Sequence, residues 1–136
     1  MNTRYGIAVG VALLSAVAIG TASIGGLHAQ AKTPAYVVID ISETMDADAY
    51  IKAVSAAEPN ATQSAGGRFI VRSNRAAALD GAPPNRFVII AFGDAEKAKA
   101  WYASPAIKEV NATRLKVTKS RAFVVEGVAE SCELAR

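Results

Sequence analysis

The order of apolar and polar residues predicts four β-strands, at residues 35–41, 68–72, 86–92 and 121–126. The third strand has no polar residue from Phe87 to Phe92. A strand with one face in water alternates apolar and polar residues, so an unbroken apolar run indicates a strand that is covered on both faces. We therefore predict that this strand lies in the middle of a sheet.

Two helical segments connect these strands. The first begins at an N-cap, Thr44 or Asp46, and follows a stripe of small residues to about residue 65. Pro59 lies inside it and predicts a kink or a break, because proline has no N–H to donate and its ring crowds the preceding turn. The second helix begins after Asp94 and ends or bends at Pro105, followed by a further turn or two to about residue 114.

The second strand and the connection after it are less regular. Alternation predicts that Phe69 and Val71 share one face of the strand and that Arg72 lies on the other. The following connection is rich in Ala, Asn, Gly and Pro. We predict a short additional strand near residues 77–79, before a turn at Asp80-Gly81.

The resulting order, β-α-β-β-α-β, predicts an α+β fold, the ferredoxin-like sandwich, in which both helices cover one side of an antiparallel sheet. The runs of Val, Ile and Phe in the strands would make the uncovered face apolar as well. Because so large an apolar patch is unusual on a monomer, we predict a homodimer that packs sheet to sheet.

The N-terminus predicts export. Arg4 is the only charged residue before Lys32, and residues 6–26 are uncharged. Ala29-Gln30-Ala31 and, less regularly, Leu27-His28-Ala29 offer cleavage sites for a signal peptidase. We predict a signal peptide at 1–31, a domain at 32–128 and a tail at 129–136, with the domain periplasmic or secreted. The alternative is an uncleaved anchor in the inner membrane with the domain outside, since about 20 apolar residues can span a bilayer.

Composition excludes several classes of protein. His28 is the only histidine and lies in the leader, so the mature domain has no imidazole for base catalysis or metal binding. Cys132 is the only cysteine, which leaves it either unpaired or paired between chains. Losing the leader removes one Arg and no acid, so the net charge falls from +3 to +2. We expect no nucleic-acid partner, no metal and no cofactor.

Five short motifs occur in a fixed order: Gly66-Gly67-Arg68-Phe69-Ile70-Val71-Arg72, Leu79-Asp80-Gly81 before Pro-Pro, Arg86 at the start of the central strand, Ala100-Trp101-Tyr102-Ala103-Ser104-Pro105, and Val125-Glu126-Gly127. Together they resemble the domain-of-unknown-function 1330 (DUF1330) family, over residues 35–128. The resemblance implies a dimeric α+β barrel, in which two ferredoxin-like sheets face each other and enclose a cavity. The wider superfamily includes cofactor-independent monooxygenases, lactone isomerases, haem-degrading enzymes and binding proteins, so the fold does not select a function.

The chain departs from the family pattern at three positions. Members usually end the central strand with Glu-Phe, where this chain has Ala91-Phe92. They commonly carry a tyrosine before the double glycine and another two residues after Ser-Pro, where this chain has Ala65 and Ile107. Three polar or amphipathic groups that the resemblance would supply are therefore missing.

The candidate ligand-binding residues are those expected to reach the interior of the barrel or its mouth: Tyr36, Asp40, Arg68, Arg86, Trp101 and Arg114. A carboxylate and one or two guanidinium groups in an apolar cavity suit a small anionic or carbonyl-bearing ligand. Two structural alternatives remain. Asp40 can instead form an ion pair with one of the arginines, and the helical spacing of Trp101 is also typical of a core residue.

These observations favour an exported homodimer that binds a small organic molecule. The first alternative is a cofactor-independent enzyme of the monooxygenase or isomerase kind, with Asp40 or Tyr36 as proton acceptor or donor. The second is a structural or stress-related dimer whose barrel is filled by side chains.

Overall fold

The structure is a computed structural model that describes residues 33–129, apart from the side chains of residues 58 and 59. The predicted leader at 1–31 and Cys132 in the predicted tail lie outside this range.

Seven elements follow one another in the described range: β1 (Ala35–Thr44), α1 (Ala47–Ser64), β2 (Arg68–Ser73), β3 (Arg86–Phe92), α2 (Ala95–Ala103), α3 (Pro105–Val117) and β4 (Thr118–Glu126). The four strands form one antiparallel sheet in the order β2-β3-β1-β4. This is the topology of the ferredoxin-like sandwich, which confirms the predicted α+β architecture. The apolar strand β3 lies between β2 and β1, as its sequence predicted.

Two aspartates begin the helices. The Oδ1 atom of Asp46 accepts a hydrogen bond from the backbone N–H of Ala49 at 3.0 Å, which identifies Asp46 as the N-cap of α1. Oδ1 of Asp94 accepts from the backbone N–H of Lys97 at 2.8 Å and caps α2 in the same way. Pro105 is the first residue of α3, where its missing N–H breaks no bond of the helix.

Pro59 does not break the first helix, contrary to the prediction. Helix α1 continues through it to Ser64. Both flanks of the proline are held by packing, because Ala57 and Ala61 lie against the core. The last turn is also fixed by Thr62, whose Oγ1 accepts a hydrogen bond from the buried Trp101 Nε1 at 3.1 Å. These contacts offset the roughly 3 kcal/mol that a proline costs inside a helix.

The connection between β2 and β3 contains no strand in residues 74–85, so the short strand predicted near 77–79 is wrong. β2 and β3 pair directly with each other, and Leu79 is fully exposed. A strand needs a neighbour for its backbone hydrogen bonds, and this segment has none. The predicted turn is present, because Gly81 has the positive φ of 72° that glycine adopts without strain.

A β-bulge in β2 corrects the predicted faces of that strand. Phe69 is opposite Ile90, but the pairing then shifts and Val71 is opposite Ile89. Directly paired residues point to the same side of a sheet, so the extra residue moves Val71 to the other face from Phe69. Arg72 is opposite Val88 and shares the helix side with Phe69, whose ring centre is 5.0 Å from its guanidinium carbon.

The hydrophobic core lies between the sheet and the helices. The two inner strands, β1 and β3, contribute alternate residues to it, and the helices contribute one stripe each. Its buried members are Ala35, Val37, Ile39, Ile41, Tyr50, Val54, Val88, Ile90, Phe92, Ala98, Trp101, Ile107 and Val110.

Close packing at Gly67 predicts a loss of stability in Gly67→Ala. A Cβ atom there would lie 2.8 Å from the Phe92 ring and 2.8 Å from Cγ2 of Thr62. Both side chains are buried and have little room to move. We expect the free energy of unfolding to fall by about 1–3 kcal/mol, the usual cost of overpacking, measured by denaturant titration.

Gly93→Ala is the matched control, because the nearest atom to its new Cβ would be the flexible Lys97 Nζ at 3.5 Å. Its unfolding midpoint should stay close to that of the unchanged chain. Equal midpoints for the two variants would contradict the packing described at Gly67.

Candidate functional site

The face of the sheet turned away from the helices is here called the open face. Cross-strand pairing arranges its side chains in three rows, because directly paired residues point to the same side. The rows are Val125, Tyr36, Ala91 and Arg68; Phe123, Val38, Ile89 and Val71; and Arg121, Asp40, Phe87 and Ser73.

The first two rows are mainly apolar and partly uncovered. Phe123 and Val125 on the outer strand β4 are 44 % and 45 % exposed, whereas Val38 on β1 is 7 % exposed. Tyr36 lies beside Val125 and is half-buried. A contiguous apolar area of this kind is typical of an interaction or ligand-binding surface.

The third row contains an ion pair. Nε of Arg121 donates a hydrogen bond to Oδ2 of Asp40 at 3.0 Å, and Nη2 of Arg121 forms an ion pair with the same oxygen, also at 3.0 Å. The guanidinium carbon of Arg121 is also 5.8 Å from the centre of the Phe123 ring. Oδ1 of Asp40 and Nη1 of Arg121 have no hydrogen-bond partner among residues 33–129. An acceptor and a donor therefore lie side by side next to an aromatic ring.

A second ion pair extends this polar end of the open face. Nζ of Lys119 lies 2.6 Å from Oε2 of Glu43, on the strand pair that also carries Arg121 and Asp40. The hydrogen bond from Lys119 to Glu43, and then the attraction between their charges, raise the pKa of Lys119 above its usual value. Lys119 therefore stays positively charged at physiological pH.

Three of the six predicted site residues lie on the open face, but they do not converge. Tyr36 and Asp40 are both on β1, four residues apart, which is about 13 Å along a strand. Arg68 is in the row of Tyr36, exposed on the outer strand β2. Only Asp40 therefore belongs to the polar end.

Arg86 lies on the other side of the sheet. It is opposite Ile41, a residue of the core, and its guanidinium carbon is 5.6 Å from the centre of the Tyr50 ring. Its Nε is buried and has no hydrogen-bond partner in the described range.

Trp101 and Arg114 are also on the helix side. Trp101 is 3 % exposed, and its ring centre is 5.5 Å from that of Phe92, which places it in the core. Arg114 is 2 % exposed and donates hydrogen bonds to Tyr102, Ser120 and Asn111.

Sequence reasoning did not find Arg121, the residue that contacts Asp40. Arg121 is the first residue of the predicted strand 121–126, and its position there does not show which residue lies opposite it. The signal was available in the antiparallel pairing of β1 with β4, which sets Asp40 opposite Arg121. Opposite charges in directly paired positions attract each other across the strands.

Within residues 33–129, no group of three or more His, Cys, Asp or Glu side chains could hold a metal ion. None of the helices in this part of the chain is long and apolar enough to cross a membrane.

Comparisons with known proteins give a family and a fold. Residues 34–128 match the family described as Domain of unknown function (DUF1330). No curated protein matches the sequence. A crystal structure of a protein of unknown function from Rhodopseudomonas palustris superimposes with a TM-score of 0.55 at 12 % identity, covering 72 % of this chain and 85 % of that one. Its methylated form gives a TM-score of 0.56 at 12 % identity, with coverage of 73 % and 84 %.

A candidate antibiotic biosynthesis monooxygenase from Nitrosomonas europaea gives a TM-score of 0.49 at 17 % identity, covering 77 % of this chain and 99 % of that one. At these identities the likeness to solved structures concerns the fold alone.

The ion pair between Asp40 and Arg121 is expected to contribute little to stability. Arg121 has 75 % of its side chain exposed, and exposed ion pairs contribute about 0–1 kcal/mol. Asp40→Asn and Arg121→Gln should each change the free energy of unfolding by no more than about 1 kcal/mol.

Thr62→Val provides the contrast, because it removes the acceptor of the buried Trp101 Nε1–H and should cost about 1–3 kcal/mol. Denaturant titration measures all three variants. If Asp40→Asn destabilised the protein as much as Thr62→Val, Asp40 would have a structural role and would not be available to a ligand.

Proposed function

Because this chain belongs to the DUF1330 family, we propose that it acts as a homodimer which binds a small organic molecule between two facing sheets. The predicted leader would deliver the domain to the periplasm or the cell exterior. The ligand would need neither a metal nor a tightly held cofactor for binding.

The observation that carries this proposal is the apolar open face. Phe123 and Val125 keep nearly half of their surface exposed, although both are large apolar residues on a regular strand. Covering the rest of each side chain would contribute on the order of 1 kcal/mol, and a second copy doubles the number of side chains covered. A second open face is the surface that matches this one in size and character.

The polar end of the open face supports a ligand site within such a dimer. Asp40 offers a free Oδ1 as acceptor, and Arg121 offers a free Nη1 as donor beside it. A planar group with a neighbouring donor and acceptor, such as an amide or a carboxylic acid, can bond to both. Phe123 in the neighbouring row is 44 % exposed and provides apolar surface for the rest of the molecule.

Binding is favoured over catalysis by the separation of the two residues proposed as proton carriers. Tyr36 lies two rows away from Asp40, about 13 Å along β1, so the two side chains cannot serve one reacting group together. The filled-barrel alternative also fits less well, because it gives the unused hydrogen-bonding atoms of Asp40 and Arg121 no partner.

Phe123→Glu should convert the dimer to a folded monomer. The change places a carboxylate in the middle row of the open face, where association would bury it without a partner. Leu115→Glu is the control, because Leu115 is 61 % exposed on α3 and its change adds the same charge away from the open face. Native mass spectrometry would count the subunits. A monomeric unchanged chain at about millimolar concentration would rule the dimer out.

Arg121→Gln should lose the ligand while the protein remains dimeric, because it removes the free donor and one side of the ion pair. The same mass spectra, recorded on protein purified from its own host, would report any retained small molecule. Arg75→Gln is the control, an equal change of charge on an exposed loop arginine. Retention of the ligand in Arg121→Gln would contradict the site, and an unchanged dimer without any bound molecule would favour the filled barrel.

A further inference from the structure

A cavity lies between α2 and the outer strand β4, on the helix side of the sheet. Its volume is about 160 Å³. The apolar wall consists of Val37, Ala122, Phe123 and Val124, and Lys99 and Tyr102 of α2 supply the opposite wall. Ala122, Val124 and Tyr102 are half-buried and Lys99 is exposed, so the cavity is reached from solvent at the edge of the sheet.

Tyr102 connects this cavity to a buried cation. Nη2 of Arg114 donates a hydrogen bond to the Tyr102 hydroxyl oxygen at 3.1 Å. Because the oxygen acts as acceptor in that bond, the hydroxyl hydrogen remains free to be donated elsewhere. Tyr102 can therefore present a donor to a ligand while Arg114 holds its oxygen in place.

Among the described residues, Arg114 has no negatively charged partner. It is 2 % exposed, and no carboxylate within residues 33–129 forms an ion pair with it. Its remaining bonds go to neutral oxygens, Oγ of Ser120 at 2.6 Å and Oδ1 of Asn111 at 3.3 Å. A buried charge without a counter-charge leaves a strong local potential, since little water screens it. The side of the cavity formed by Tyr102 is therefore electropositive.

Lys99 adds a second cation at the mouth. Its ammonium group lies 3.6 Å from Glu96, but both side chains are largely exposed, so water weakens this pair. Glu126 follows Val124 on the same side of β4 and is exposed, outside the lining of the cavity. No acidic residue lines the cavity.

From these features we infer that the cavity binds a small monocarboxylate whose apolar part is about the size of a benzene ring. An apolar protein cavity of about 150 Å³ is known to take up benzene, so the volume fits such a group. The carboxylate lies at the mouth, where it accepts hydrogen bonds from Tyr102 and Lys99. The site lies on the helix side of the sheet and shares only Phe123 with the open face, and it does not depend on the proposed dimer.

Benzoate is the probe, added to the purified full-length protein. The indole N–H resonance of Trp101 reports binding, because Trp101 is the only tryptophan and its ring centre is 6.3 Å from that of Tyr102. We expect a saturable shift with a Kd on the order of 1 mM, reasonable for so small a ligand. Benzyl alcohol and benzylamine, of similar shape but neutral or positive, should bind at least about tenfold more weakly.

Three variants locate the site. Ala122→Leu fills the cavity and should abolish the shift, and Tyr102→Phe should weaken binding about tenfold by removing the donor. Lys99→Gln changes an exposed residue that folding does not require, and it should weaken binding about threefold. Ala56→Leu, in the separate groove between α1 and α3, should leave the Kd unchanged.

The inference is overturned if benzoate gives no saturable shift up to about 20 mM, if Ala122→Leu binds it normally, or if benzyl alcohol binds equally well. Asp40→Asn should bind benzoate with the Kd of the unchanged chain. A loss of binding in Asp40→Asn would place the ligand on the open face instead, whether or not the proposed dimer is correct.

Discussion

Strand β3 presents apolar side chains to both sides of the sheet. Val88, Ile90 and Phe92 point into the core, where each is buried. Phe87, Ile89 and Ala91 point the other way, where no helix of the described range covers them. The second face therefore remains half-exposed in the single chain. The hydrophobic effect favours covering both faces, but the helices cover only one of them. The open face therefore remains able to bind a partner or a ligand.

The helix side is under a different constraint: its polar groups are buried, so they must form hydrogen bonds within the protein and not with water. Trp101 donates to Thr62, and Arg114 is surrounded by neutral oxygens. Arg114 is held by three hydrogen bonds and the indole N–H of Trp101 by one, and both side chains are buried. The two faces thus differ in the use of arginine. Arg114 is immobilised inside the domain, while Arg121 rests on the surface with part of its guanidinium unengaged.

Much of the fold could be predicted from local patterns. The bounds of β3, the capping role of Asp46 and Asp94 and the start of a new helix at Pro105 all follow from short-range chemistry. Periodicity and capping depend on neighbours within a few residues, so a single sequence contains the information. Trp101 was named as a candidate ligand-binding residue, and its burial instead fits the core position that its helical spacing offered as the alternative.

The errors arise where distant residues decide the result. The bulge in β2 depends on pairing with β3, and the continuity of α1 through Pro59 depends on packing against the core. The candidate site failed in the same way. Arg68, Arg86 and Arg114 were grouped by residue type, but the register of the sheet and the position of the helices send them to three different places. Register had to be known before any arginine could be assigned to Asp40.

In strand β4, the known register assigns each side chain to one face of the sheet. Its side chains alternate, so Arg121 and Phe123 belong to the open face while Ala122 and Val124 line the cavity beneath α2. The two proposed sites are therefore back to back on one strand, separated by the thickness of its backbone. β4 is also an outer strand, hydrogen-bonded on one side to β1. A substitution at Arg121 therefore changes the open face first, whereas one at Ala122 or Val124 changes the cavity first.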